Sequence, residues 1–330
     1  MYSIQTVQIS QSDDLYAWCD TVTHLANNLE NAALFRIRQC MTAVTKKPSK
    51  RTDNEKEVLQ ELELLCSMSE YQMPEEKKWM LSYKLLDALF KMTHNPDYYA
   101  EGLPRQTAQN AVKTVVRNMK SFFQACKAYA ANPEVFTGKP KLPKYHRSGG
   151  TCTALLSNQD CVVKDGIVKL PKTRLTCRVG EVNGRLKQAV ITPYHDVFVL
   201  SLTLETEAEP PEPTEHPARI VSLDLGVDNL AAMTNNTGRE CLLFKGGIVK
   251  SINQLYNKRI AAIVSKETKG TNDKFIPTAE YHAVTLKRNR QIDDFFHKTA
   301  KMIMTWCLDN RIDTIVIGHN RQWKQESAIG

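Results

Sequence analysis

The chain has 330 residues, 42% hydrophobic and 24% charged, with a formal net charge of +8. That length holds two or three domains, and the absence of any run near ~20 consecutive apolar residues argues against a membrane span. The opening MYSIQTVQIS lacks the basic flank and apolar core of a signal peptide, and the nine cysteines stand without a C-x-x-C pair, which suits free thiols in a reducing, cytoplasmic setting.

In chain order, residues 1–10 form a short strand through Ile4, Val7 and Ile9. Leu15, Trp18, Val22, Leu25 and Leu29 then recur at helical spacing after a Ser12-Asp13 start signal. Residues 53–66 and 75–92 repeat the pattern, separated from the first helix by the basic loop Lys46 to Arg51. Leu103-Pro104 should open a further helix to about Tyr129, since proline suits a first turn; it would bury Ala108, Val112, Val115, Met119, Phe122 and Cys126. From Phe136 to Leu204 the text changes to short β-rich runs, CVVKDGIVKL, RLTCRVG, AVITPY and VFVLSLTL, with Asp165-Gly166 and Asn183-Gly184 as hairpin turns. A small antiparallel sheet or barrel follows from that. TEAEPPEPTEHPA (206–218) is acidic, holds four prolines, and reads as a linker.

Beyond it, residues 219–225, 230–234 and 240–244 read as strands joined by turns at Gly226–Asn229 and Asn235–Gly238. Helices are expected from Val249 to Lys266 and from about Ala279 to Asn310, the second burying Leu286, Ile292, Phe295, Phe296, Ala300, Ile303, Met304 and Cys307. TIVIG (314–318) is continuously apolar, as a strand covered on both faces would be.

Two features carry chemistry. The first is cationic. No Asp or Glu occurs between Gly102 and Pro133, and Gln106, Gln109, Lys113, Arg117, Lys120, Gln124 and Lys127 share one helix face. Solvated faces usually mix signs, because opposite charges four residues apart attract. Cations and amides alone suit a phosphate backbone. FTGKPKLPKYHR (136–147) extends the pattern, with Lys139, Lys141, Lys144 and Arg147 on a strip held extended by prolines and Tyr145 available to stack on a base. The bland alternatives are an ordinary solvated helix face and a basic interdomain linker.

The second is Asp224, set among apolar residues in RIVSLDLGVDNLAA (219–232). In a strand Ile220, Ser222 and Asp224 share a face, and Gly226 would let a ligand approach. An aspartate at a strand end can hold Mg²⁺, but two-metal phosphodiester cleavage needs further carboxylates. The neighbouring strand TIVIG is followed by His319 and Asn320, not by an acid. The alternative is an aspartate that caps the following turn.

RIVSLDLGVDNLAA resembles the first RuvC motif of TnpB proteins, OrfB-type proteins of insertion sequences related to type V CRISPR effectors. IDTIVIGHNRQWKQE (312–326) resembles the second RuvC region of a TnpB subgroup with an I-G-x-N-x-x-W-K-Q text. WCDTVTHLANNLENAALFRIRQ (18–39), LPRQTAQNAVKTVVRNMKSFFQACKAY (103–129) and GKPKLPKY (138–145) are similar to the family's earlier segments. The resemblance implies an α+β multidomain fold. A helical recognition region (11–133) is inserted in a small antiparallel β wedge domain (1–10 and 134–205). A linker (206–218) leads to an incomplete RNase H-like, RuvC-type α/β domain (219–330). It further implies an RNA-guided DNA endonuclease whose partners are a guide RNA and target DNA and whose cofactor is Mg²⁺, with Asp224 as catalytic, metal-binding aspartate.

The sequence departs from that pattern. Gly318 stands where many members carry a catalytic glutamate, and neither the cysteine zinc module nor the third RuvC motif is present. The expectation is a shortened chain. Roles for His319, Asn320 and Glu326 stay open. Cleavage-deficient RNA-guided DNA binding, or a fragment without a role of its own, are the alternatives. LDLGVDN also resembles the D-L-G-T phosphate loop of sugar-kinase and actin-type ATPases, but residues 225–330 lack that class's second D-x-G loop and glycine-rich adenosine loop.

Overall fold

The computed structural model describes residues 1–76, 78–207, 217–270 and 274–318. The chain divides into two compact units, Met1–Glu209 and Pro210–Gly330.

The first unit begins with β1 (Tyr2–Ile9) and the long helix α1 (Tyr16–Ala43). The Ser12-Asp13 signal makes a turn ahead of α1, not its cap: the Asp13 carboxylate accepts from the Ser10 amide and hydroxyl, both at 2.6 Å. α1 buries Cys19, Val22, Ala26, Leu29, Ala33, Ile37 and Cys40 at three- and four-residue spacing. α2 (Asp53–Ser67) starts with a reciprocal Thr52–Glu55 capping box. The helix expected over 75–92 is shorter. α3 covers Tyr83–Met92, because the Ser82 hydroxyl accepts from the Leu85 amide and starts it there. Leu81 is fully buried all the same, from non-helical chain.

α4 (Arg105–Ala131) packs on α1 and buries Thr107, Ala108, Ala111, Val112, Val115, Val116 and Met119. Phe122 and Cys126, expected in the core, are half-buried, since nothing beyond Met119 on this helix is buried.

The β region forms two sheets, not one barrel. β2 (Ala154–Ser157), β6 (Arg185–Tyr194) and β7 (Val197–Glu205) join β1 in an antiparallel sheet of order β1-β7-β6-β2. β1 lies along β7 from Tyr2↔Glu205 to Ile9↔Phe198, so residues 11–133 intervene in sequence between paired strands. β3 (Val162–Lys164), β4 (Ile167–Lys169) and β5 (Thr176–Arg178) make a second antiparallel sheet. Asp165-Gly166 is its two-residue hairpin, with φ of 51° and 71° as a primed turn requires. Asn183-Gly184 makes no hairpin. It leads into β6, and the β6–β7 turn falls at His195-Asp196, where His195 takes φ of 55°.

In the second unit β8 (Ile220–Leu225), β9 (Asn229–Asn235) and β10 (Leu242–Lys245) form an antiparallel meander. α5 (Gly247–Glu267) and α6 (Ala279–Asp309) follow, and β11 (Thr314–Ile317) returns parallel to β8. The mixed sheet, ordered β10-β9-β8-β11, is consistent with an incomplete RNase H-like domain. Val221, Leu223, Ala231 and Met233 pack with Ile303 and Cys307 of α6. Ile292 and Leu286 are buried as expected, whereas Phe296, Ala300 and Met304 are exposed. β11 is not covered on both faces: it is a sheet edge, and Val316 and Ile317 are 49% and 55% exposed.

Candidate functional site

β8 alternates. Val221 and Leu223 are buried against α6, while Ser222 and Asp224 are exposed on the opposite face. The Asp224 carboxylate therefore avoids the desolvation that its apolar neighbours suggest. Asp224 pairs with Ala232 of β9, and the Gly318 amide donates to the Leu223 carbonyl at 3.0 Å. A Cβ built on Gly318 would stand 4.0 Å from Asp224 Oδ1. The carboxyl ends of β8 and β11 thus meet, and the position beside Asp224 has no side chain.

Other nearby acids have different work. Asp228, in the β8–β9 turn, pairs with Lys250. Asp313 lies at the far end of the sheet, where Oδ2 accepts from the Arg219 and Ala218 amides at 3.0 and 3.1 Å; the Arg219 bond leads in holding its carboxyl below the usual range. Gly226 has a structural reason: a Cβ there would lie 2.9 Å from the Asn229 carbonyl. His319, Asn320 and Glu326 fall outside the described residues. Among the described residues Asp224 belongs to no cluster of three metal-ligating groups.

The cationic residues lie in the first unit. Lys113, Arg117, Lys120 and Lys127 are all exposed along α4, with Lys113 Nζ 4.8 Å above the Tyr83 ring. Lys139, Lys141, Lys144, Tyr145 and Arg147 are exposed too, on chain outside any helix or strand. That chain is no free linker. Asn31 accepts from the His146 amide at 2.8 Å and donates to its carbonyl at 3.2 Å, and Asn27 donates to the Arg147 carbonyl at 3.2 Å. His24 Nδ1 lies 3.0 Å from the Gly150 carbonyl, and Arg38 donates to that of Pro143. The Arg38 guanidinium also sits 4.7 Å over the Tyr145 ring, so that ring already carries a cation on one side. These docking residues of α1 escaped the sequence reading. The spacing of His24, Asn27 and Asn31 on one stripe was their only signal.

Glu30 joins the arm to both helices. Its Oε2 lies 2.7 Å from His146 Nε2. Burial raises its pKa, opposed by the His146 bond and by the nearby charges of His146 and Arg117. With Cys152 these residues form a group whose ligating atoms all lie within 4.8 Å of one another.

Residues 203–324 match a family model described as OrfB_IS605, probable transposase. The OrfB_IS605 segment takes in the end of β7 and all of β8 to β11, including Asp224 and Gly318. No curated protein matches the chain. Among solved structures it is similar to a Cas12f1–sgRNA–target DNA complex, at 13% identity over 98% of this chain and 75% of that one, TM-score 0.27. It is also similar to a CRISPR–Cas12f ternary complex, at 11% identity over 93% of this chain and 64% of that one, TM-score 0.27. Among the described residues no helix is long and apolar enough to cross a membrane.

Proposed function

We infer that this chain is a TnpB-like, RNA-guided DNA-binding protein of the transposon-encoded endonuclease class. The observation that carries this reading is the OrfB_IS605 match around Asp224, a carboxylate projecting from the open face at the end of β8. The acid-free cationic face of α4 and the docked arm support the binding half. Lys113, Arg117, Lys120 and Lys127, with Lys139, Lys141, Lys144 and Arg147, hold the phosphate backbone of a guide RNA or its heteroduplex with target DNA, and Tyr145 stacks on a base or sugar. Base pairing supplies sequence specificity, as in other RNA-guided effectors. On this reading 11–133 is the recognition region, 1–10 with 134–205 the wedge, 206–218 the linker and 219–330 the nuclease-like domain.

Asp224 is the residue that would hold Mg²⁺, which takes one or two carboxylates together with waters and substrate phosphates. When bound, such a cation polarises the scissile phosphate and activates water. A two-metal clamp does not fit the described residues, because Gly318 offers no second carboxylate. On the described residues we therefore favour guided binding without cleavage.

Gel-shift titration with structured RNA tests the binding half, and a plasmid cleavage assay with Mg²⁺ and RNA tests the other. Tight, salt-sensitive RNA binding without nicking is expected. RNA affinity no better than that of a neutral protein overturns the first half. Cleavage that disappears in Asp224→Ala overturns the second.

A further inference from the structure

The group Glu30, His146 and Cys152 has no part in the function proposed above. Glu30 is 7% exposed and Cys152 8%, so a carboxylate and a thiol are buried side by side. The His146 side chain is 41% exposed and closes the group from the solvent side. Burial leads the causes that raise both Glu30 and Cys152, with Glu30 adding to the rise at Cys152. The two loop residues are set in place by bonds that their side chains do not make. Asn31 holds the His146 peptide on both sides, and the Cys152 amide donates to the Thr23 carbonyl at 3.2 Å. Three donors of different type thus converge from a helix and from both ends of a docked loop.

We propose that Glu30, His146 and Cys152 bind one thiophilic divalent cation of the Zn²⁺ class, which fastens the lysine-proline arm to α1. Zinc takes sulfur, imidazole nitrogen and carboxylate oxygen together. Its bond lengths put neighbouring ligand atoms about 3.3–3.6 Å apart in a tetrahedral shell, so the Glu30–His146 pair opens slightly from 2.7 Å while the more distant ligand atoms close from at most 4.8 Å. The cation replaces the hydrogen-bonding proton between Glu30 and His146, which passes to solvent and leaves Glu30 ionised and His146 neutral with its one N–H on Nδ1. Cys152 gives its thiol proton to solvent and binds as thiolate. One carboxylate, one thiolate and a divalent cation sum to zero charge, which suits a buried site. The Arg117 guanidinium stays outside the ligand shell, and water takes the fourth position on the exposed side of His146. Mg²⁺ prefers an all-oxygen shell, so this site is chemically separate from Asp224.

The test uses the full chain, stripped with chelator and titrated with Co²⁺. The expected result is a thiolate-to-cobalt charge-transfer band in the near ultraviolet that saturates at one equivalent and is erased by Zn²⁺. Cys152→Ser should abolish the band, and His146→Gln should weaken Co²⁺ binding roughly 100-fold with an unchanged circular dichroism spectrum (compare). Absence of the band in folded wild-type protein overturns the proposal, as does its survival in Cys152→Ser. His146→Gln alters an exposed side chain, so it decides the matter even should Cys152→Ser misfold: unchanged Co²⁺ affinity there also overturns it. Zn²⁺ should slow tryptic cleavage between Lys139 and Arg147 in wild type only, and equal rates with and without Zn²⁺ overturn the fastening role.

Discussion

A Cβ on Gly318 meets the Leu223 carbonyl at 3.7 Å and Asp224 Oδ1 at 4.0 Å, both ordinary contact distances. The backbone therefore accepts a Cβ here, and Gly318→Glu is expected to set a second carboxylate beside the first. Two carboxylates repel each other without a cation and chelate in its presence. Calorimetric titration with Mn²⁺ should show roughly tenfold tighter binding in Gly318→Glu than in wild type, lost again when Asp224→Ala is added. Glu55 is a residue of the opposite kind, already saturated with donors. Burial works to raise its pKa, but Lys46 at 2.7 Å, Thr42 at 2.6 Å and the Thr52 amide at 2.9 Å outweigh that and hold it at about 2. A folded pKa below the unfolded value of 4.5 contributes stability above about pH 4.5, and that share is lost as pH falls towards 2. Glu55→Gln should cost roughly 1–3 kcal/mol in urea unfolding at pH 7, and the gap from wild type should narrow in measurements taken from pH 5 down to pH 3.

At the scale of elements, the proposed RNA contacts fall on α4 and on the arm. Replacing Lys113, Lys120 and Lys127 together by Gln should lower the slope of log K against log salt by about 2–3 for RNA, near one counterion per lysine removed. An unchanged slope would place the RNA elsewhere. Asn31→Ala removes both bonds to the His146 peptide, and it should speed tryptic cleavage of the arm while costing roughly 1 kcal/mol of stability. Local grammar made much of this legible in the sequence. Asp165-Gly166 named its hairpin, and alternation around Asp224 named β8 and the face that carries it. Local grammar also misled. Met80 and Leu81 kept helical spacing, yet Ser82 fixes the start of α3, and a histidine in the β6–β7 turn carries no turn signal. The open face of β11 and the docking of 143–150 on α1 depend on partners more than ninety residues away in sequence, which no window of text contains.

Over the whole molecule the two units are unequally built. The first has a continuous core running from Ile9 through α1, α2, α3 and α4 to Leu204. Among the described residues the second has one cluster of six buried residues, Val221, Leu223, Ala231, Met233, Ile303 and Cys307, with Leu286 and Ile292 of α6 buried outside it. α5 adds a single buried residue, Ile263. Hydrophobic burial is the main favourable term in folding, so urea unfolding should proceed in two steps. Hydrogen exchange read by mass spectrometry should show β8 to β11 opening at lower urea than α1 and α4, and one coincident transition would refute this. The unit that fails first is the one that carries Asp224. The gap beside that residue has a genetic side. Every glycine codon becomes Asp or Glu by a single G-to-A change at its second base, and the described residues around Gly318 leave room for a Cβ. A second acid at this site is one point mutation away, so selection for it in a plasmid-interference screen would need no library beyond random mutagenesis of one codon.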